Sequence, residues 1–378
     1  MNRKLKWLIV PVFIVFLLCM FTYTCFAEDS SESGVTEQAQ SVFSELLSSL
    51  EEETKEALSE IGIDDADYTQ LLSLSPKRVV DAILELITGK MSEKLKAVGF
   101  VCALLVLSAV LEGFAQPGST MHSVFSVFTT LLIVVSLLLP VSESLVQAFS
   151  AMELSSNFLL AYIPAFAGVI SMSGKPLSSA AYSSVMIGLS NLLAQCNVKV
   201  FLPVVQVFFS LNIASSVQPK YAFNSLVAFF KKAVTVLLGF SATIFTGLLA
   251  IKGSLASAGD SVAVRGVKML VGSAVPVVGS ALSDAYTSVL GSITLIQNAV
   301  GIFGIVVFAL MHVPVILDLL LWYLALSFTA SVSEALGQKQ AATLLNGIAS
   351  TVSLVNTLVI FTAFILIIST GIMLNFKN

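Results

Sequence analysis

Apolar residues along this chain repeat in two registers, and the change between them falls near residue 94. Before it, hydrophobic positions recur at helical spacing with polar residues between. Val42, Phe43, Leu46, Leu47 and Leu50 form one such stripe; Val79, Val80, Ile83, Leu84, Ile87 and Met91 form another. After it, apolar runs continue for nearly the rest of the chain, broken only by Gly, Pro, Ser and isolated charges. Residues 354–374 are 21 in a row without a charge. A hydrocarbon core about 30 Å thick needs roughly 20 apolar helical residues to cross it. The pattern therefore predicts an all-α, polytopic membrane protein with a short, acidic, helical extracytoplasmic segment at its N-terminus.

Crossings are predicted at residues 95–114, 124–140, 154–172, 178–196, 200–217, 233–251, part of 262–308, 313–332 and 348–374, seven to nine in all. Residues 28–36 read as polar and without structure, with Ser41 placed to cap the first amphipathic helix. Residues 61–67 read as an acidic turn, and Ser75-Pro76 opens the second helix with a cap residue and Pro in the first turn. Two such helices cannot build much core alone; they are expected to pack on each other, on the membrane surface or on a partner.

Composition sharpens this division. Hydrophobic residues make up 56% of the chain and charged residues 11%, less than half the roughly 25% usual in soluble domains. Residues 28–94 carry 16 acidic and 5 basic side chains, net −11, whereas residues 95–378 carry 7 and 11, net +4. That distribution is no nucleic-acid footprint. At the start, Arg3, Lys4 and Lys6 precede the apolar run 7–20, and Cys25-Phe-Ala27 places small residues before Glu28. This is the pattern of a signal peptide over residues 1–27, with an uncleaved first anchor as the alternative. Either puts residue 28 across the membrane from the cytoplasm. With nine crossings, alternation then places Lys175, Lys220, Lys231, Lys232 and Lys377 inside, as the positive-inside rule asks, while Lys252, Arg265 and Lys268 dissent.

Candidate chemistry is sparse. The chain lacks a GxxxxGK[ST] phosphate loop, HExxH, GxSxG and any Cys–His pairing at metal spacing. No catalytic, cofactor or metal site is expected, and work against a gradient would need an ion or a separate ATPase. The least ordinary stretch is 252–304. There Asp260, Arg265, Lys268 and Asp284 interrupt membrane-grade sequence, while Gly272, Pro276 and Gly279 thin or break its helices. Two readings stay open. Kinked or re-entrant helices line a pathway, or an interfacial helix lets its charges snorkel and the glycines permit close packing. Asp318, after Pro314, is an intramembrane acid: a proton or cation site, a buried partner of Lys268 or Arg265, or a carboxyl near a helix end. His312 reads as a satisfied histidine rather than a ligand.

Several of these residues also carry a likeness. Asp260, Arg265-Gly-Val-Lys268, Gly272, Pro276-Val-Val-Gly279, Ser283-Asp284 and Gly301, preceded by Phe245-Thr-Gly-Leu-Leu249, resemble the stage III sporulation protein AE family of endospore-forming bacteria. The resemblance extends over the leader, the acidic segment and the polytopic domain. It implies a membrane component of a channel or secretion-like complex in the mother-cell membrane around the forespore. The implied partners are other stage III sporulation proteins of the same operon, including a separate cytoplasmic ATPase, and channel proteins of the forespore membrane. Residues 28–94 would face the intermembrane space. The resemblance implies no catalytic residues and no cofactor. An autonomous ion-coupled permease with its site in residues 252–320, and a structural anchor, are the competing classes.

Overall fold

A computed structural model describes residues 33–60, 63, 76–114, 120–217, 224–274 and 279–375. The leader and residues 275–278, with Pro276, lie outside the described residues, as does most of the acidic turn predicted at 61–67. Among the described residues nine α-helices follow in order: α1 (Ser33–Ser48), α2 (Glu52–Glu60), α3 (Pro76–Gly113), α4 (Thr120–Met172), α5 (Pro176–Cys196), α6 (Leu202–Val217), α7 (Asn224–Ala274), α8 (Gly279–Ala335) and α9 (Lys339–Asn375). A π-helical turn, Asn197–Phe201, joins α5 to α6. No strand occurs among the described residues.

Among the described residues six helical stretches are long and apolar enough to cross a bilayer: Lys94–Gly113, Val124–Met172, Pro176–Ser216, Ala228–Val267, Tyr286–Ala335 and Lys339–Ile372. The chain is an all-α, multi-pass membrane protein. The hydropathy pattern divides these stretches into seven to nine shorter ones, and the difference has an identifiable cause. Glu143 and Glu153, which the pattern takes as loop markers, instead lie on the outside of a single continuous α4 that also carries Pro140 and Pro164 internally. A proline in such a helix forfeits one backbone bond but need not end it where neighbouring groups satisfy the freed carbonyl. The chain turns instead at Gly174 (φ 79°) and Gly337 (φ 82°), left-handed positions that a side chain resists. Likewise α7 runs unbroken to Ala274 and α8 unbroken from Gly279.

At 1.5 Å per residue the 53 residues of α4 extend about 80 Å, and the core divides along that length into two clusters. One gathers Leu105, Ile133, Leu137, Met152, Phe208, Leu319, Trp322, Leu345 and Val355. The other gathers Phe158, Tyr162, Phe166, Tyr182, Phe303, Phe308 and Leu366. Close approach in the second cluster needs bare backbone: a Cβ on Gly304 would collide with the Tyr162 ring.

The second cluster also receives the N-terminal helices. Phe43, Leu46, Leu50, Leu58 and Ile63 are buried in it, and the Phe43 ring meets Phe303 edge-on, centroids 5.6 Å apart at 88°. Of the packing options open to the acidic segment, the structure therefore uses the chain's own bundle. Glu45, Glu51, Glu52 and Glu56 remain exposed on the outer side. α1 also begins at Ser33, so Ser41 lies within a helix rather than at its cap, and residues 33–36 are helical. Phe43→Ala removes a buried ring, a loss of about 3–5 kcal/mol at a rigid site. Limited proteolysis of the full chain in detergent is expected to cut residues 33–60 at least several-fold faster in this variant, with α4–α9 unaffected.

Candidate functional site

Two buried polar nodes tie the helices together. The first joins α3, α4 and α8. Lys94, near the start of the apolar run of α3, donates from Nζ to Asp318 Oδ1 on α8. Both side chains are under a tenth exposed. Asp318 and Trp322 are four apart on α8 and so share a face. The Lys94 ammonium lies over the Trp322 ring, 5.7 Å from its centroid, a favourable cation–π placement. Trp322 Nε1 in turn donates to Ser144 Oγ on α4 at 2.9 Å. A cation, its counter-charge, an aromatic face and a hydroxyl acceptor thus meet in one buried set of contacts.

Among the described side chains, the partner of Asp318 is Lys94, while Arg265 lies exposed on α7. The reason lies in the fold: α3 packs along α8 and brings Lys94, assigned by the sequence to the extracytoplasmic segment, into the bundle. The signal that could have found this pair is the i, i+4 spacing of Asp318 and Trp322, facing a lysine at the boundary of an apolar run.

The second node is Asp260 on α7, buried to 1% exposure. Its Oδ1 accepts from the Leu177 backbone N–H at 2.9 Å, and its Oδ2 accepts from that of Ser178 at 2.7 Å. Those two donors open α5, where Pro176 contributes none and Lys175 provides no side-chain cap. Asp260 is thus an N-cap supplied from another helix, and its negative charge meets the positive end of the α5 dipole. Gly259 makes the approach possible, because a Cβ there would reach 2.7 Å from Leu177 Cδ1. Burial pushes the neighbouring Lys175 ammonium below its ordinary value, and the Asp260 carboxylate draws it part of the way back.

Arg265 is exposed on α7, five positions beyond Asp260. Lys268 and Gly272 follow it on α7, and Gly279 and Asp284 lie in the opening turns of α8; the side chains of Lys268 and Asp284 lie outside the described residues. His312 sits in the middle of α8, fully buried, with Nδ1 at 2.8 Å from the Phe308 carbonyl and Nε2 at 3.4 Å from Ser155 Oγ. It is a satisfied core histidine, though not one at a helix end.

The family model described as stage III sporulation protein AE matches residues 66–376, a range that contains Lys94, Asp260 and Asp318. The stage III sporulation protein AE of Bacillus subtilis (strain 168) is 24% identical over 239 residues, covering 62% of this chain and 59% of that relative. The chain thus spans about three-fifths of the length of the curated relative it matches. No solved structure matches.

The first node predicts a sign pattern. Asp318→Asn or Lys94→Met alone leaves one buried charge without its partner, a loss of about 3–5 kcal/mol. The double variant carrying both substitutions is expected to recover most of it, read as melting temperature in detergent. The second predicts a local effect: Asp260→Ala should cost about 1–2 kcal/mol and speed hydrogen exchange at the Leu177 and Ser178 amides, leaving amides of α9 unchanged.

Proposed function

The chain belongs to the stage III sporulation protein AE family, and on that premise we propose that it is a non-enzymatic membrane component of a channel or secretion-like complex between mother cell and forespore. Sporulation follows from the family; the complex and its mechanism are our reading. In it, the protein resides in the mother-cell membrane around the forespore, with α1 and α2 on the extracytoplasmic side. It works with other stage III proteins of its operon, among them a cytoplasmic ATPase, and with channel proteins of the forespore membrane. Late forespore development depends on the assembly.

The observation that carries a platform role over a permease is the Lys94–Asp318 pair. A coupling acid must exchange its proton or cation with solvent during each cycle. Asp318 is instead held by a lysine, which is itself held by Trp322. The carboxylate placed best for coupling is therefore committed to joining helices, which supports a rigid component that acts through partners.

Deleting the protein from a sporulating host should reduce heat-resistant spores by orders of magnitude, and the intact chain should restore them. Co-purification with the other stage III membrane proteins is the second readout. Ion-coupled solute uptake by the purified chain alone in liposomes would overturn the platform reading in favour of a permease.

A further inference from the structure

At one height along the bundle the protein presents two different exteriors. On α4 the exposed positions Glu143, Gln147, Ser150, Glu153 and Asn157 form a strip of polar side chains within a stretch that is otherwise apolar enough to span a bilayer. Asn191 and Gln195 on α5, with Lys199 on the π-helical turn, form a second exposed polar strip. Val146, Ile187 and Leu192 are the exposed apolar residues among them. The two strips are level, because Ser190 Oγ donates to the Ser156 carbonyl and fixes the heights of the antiparallel pair. By helical phase from that contact, both strips fall on the same side of the α4–α5 seam.

α7 reaches the same height with the opposite chemistry. Asp260 joins α7 to α5 at Leu177 and Ser178. From that junction, sixteen to twenty residues back along α7 lead to Ile244 and Phe240. Seventeen to twenty-one residues onward from Ser178 lead to Gln195 and Lys199, an equal descent of about 25–30 Å. At this level α7 exposes Val236 (62%), Phe240 (65%), Ile244 (50%) and Leu248 (45%).

No single solvent suits both faces. Lipid penalises the exposed Glu143, Glu153 and Lys199, and water penalises the row of exposed α7 side chains. We propose that the α4–α5 face borders a polar, water-filled space at membrane depth while α7 faces lipid. This deepens the channel reading and rests on it, naming the surface that lines the passage. Two carboxylates against one ammonium make that wall mildly acidic, suited to hydrated rather than apolar solutes. It also moves the pathway away from residues 252–304, whose described charges cap a helix or lie on the outside of α7.

Single cysteines test this in the full chain, with Cys19, Cys25, Cys102 and Cys196 replaced by alanine. The protein is taken in membranes broken open from sporulating cells so that reagent reaches both sides. Gln147→Cys, Ser150→Cys and Gln195→Cys should react with a trimethylammonium methanethiosulfonate roughly a hundredfold faster than Val236→Cys and Ile244→Cys, since a charged reagent partitions poorly into lipid. A lipid-soluble maleimide should label the α7 positions readily. Fast reaction at all five positions would put this level outside the membrane and overturn the proposal. So would slow reaction at the α4–α5 positions, which would mean that lipid or a partner protein covers them. Co-purification with stage III proteins from the same membranes is read separately: its loss with the labelling contrast intact sinks the complex, and the reverse sinks only the wall.

Discussion

A charge enclosed among apolar helices is tolerable only with its counter-charge in place, and most of this bundle's architecture follows from that constraint. Lys94 and Asp318 come from helices far apart in sequence, yet neither can be buried alone at acceptable cost. Satisfying the pair fixes where α3 lies against α8. The indole that covers the ammonium hands its own N–H to Ser144, so α4 is registered by the same set of contacts. At the far end Asp260 does the equivalent for α5 and α7, pairing a carboxylate with two backbone donors instead of a cation. Between these fixed points, apolar packing and bare glycine surfaces such as Gly304 against Tyr162 fill the length. Dispersion and shape then complete what the polar contacts register.

The class of protein was legible from apolar run length alone, because the bilayer sets a length that soluble folds rarely need. The opening of α3 at Pro76 was legible as well, since a proline suits the first turn of a helix by its own local geometry. The continuity of α4 was not. Glu143 and Glu153 look like loop residues in a one-dimensional window, and only the packed structure shows a helix passing through them. The partner of Asp318 was hidden for a related reason: a sequence boundary drawn at residue 94 assigned Lys94 to water, whereas α3 continues across that boundary without a break. Asp260 was legible as unusual, but its task of capping a helix more than eighty positions earlier is a tertiary fact.

The nature of these contacts also bears on what such a protein is for. Its described buried charges, Lys94, Asp318 and Asp260, hold helices against one another. Under the proposed function, such a fixed interior suits a component whose neighbours recognise a surface that does not yield. The family's place in sporulation is consistent with that character.

One contact sets a schedule for biosynthesis. Phe43 finds its seat against Phe303, 260 residues further along the polypeptide. At about 5–20 residues per second of translation, α1 emerges and then waits some tens of seconds for the ribosome to deliver the helix that receives it. During that interval its apolar stripe is bare, and whatever meets it first, a chaperone or another newly made protein, competes with the chain's own later half.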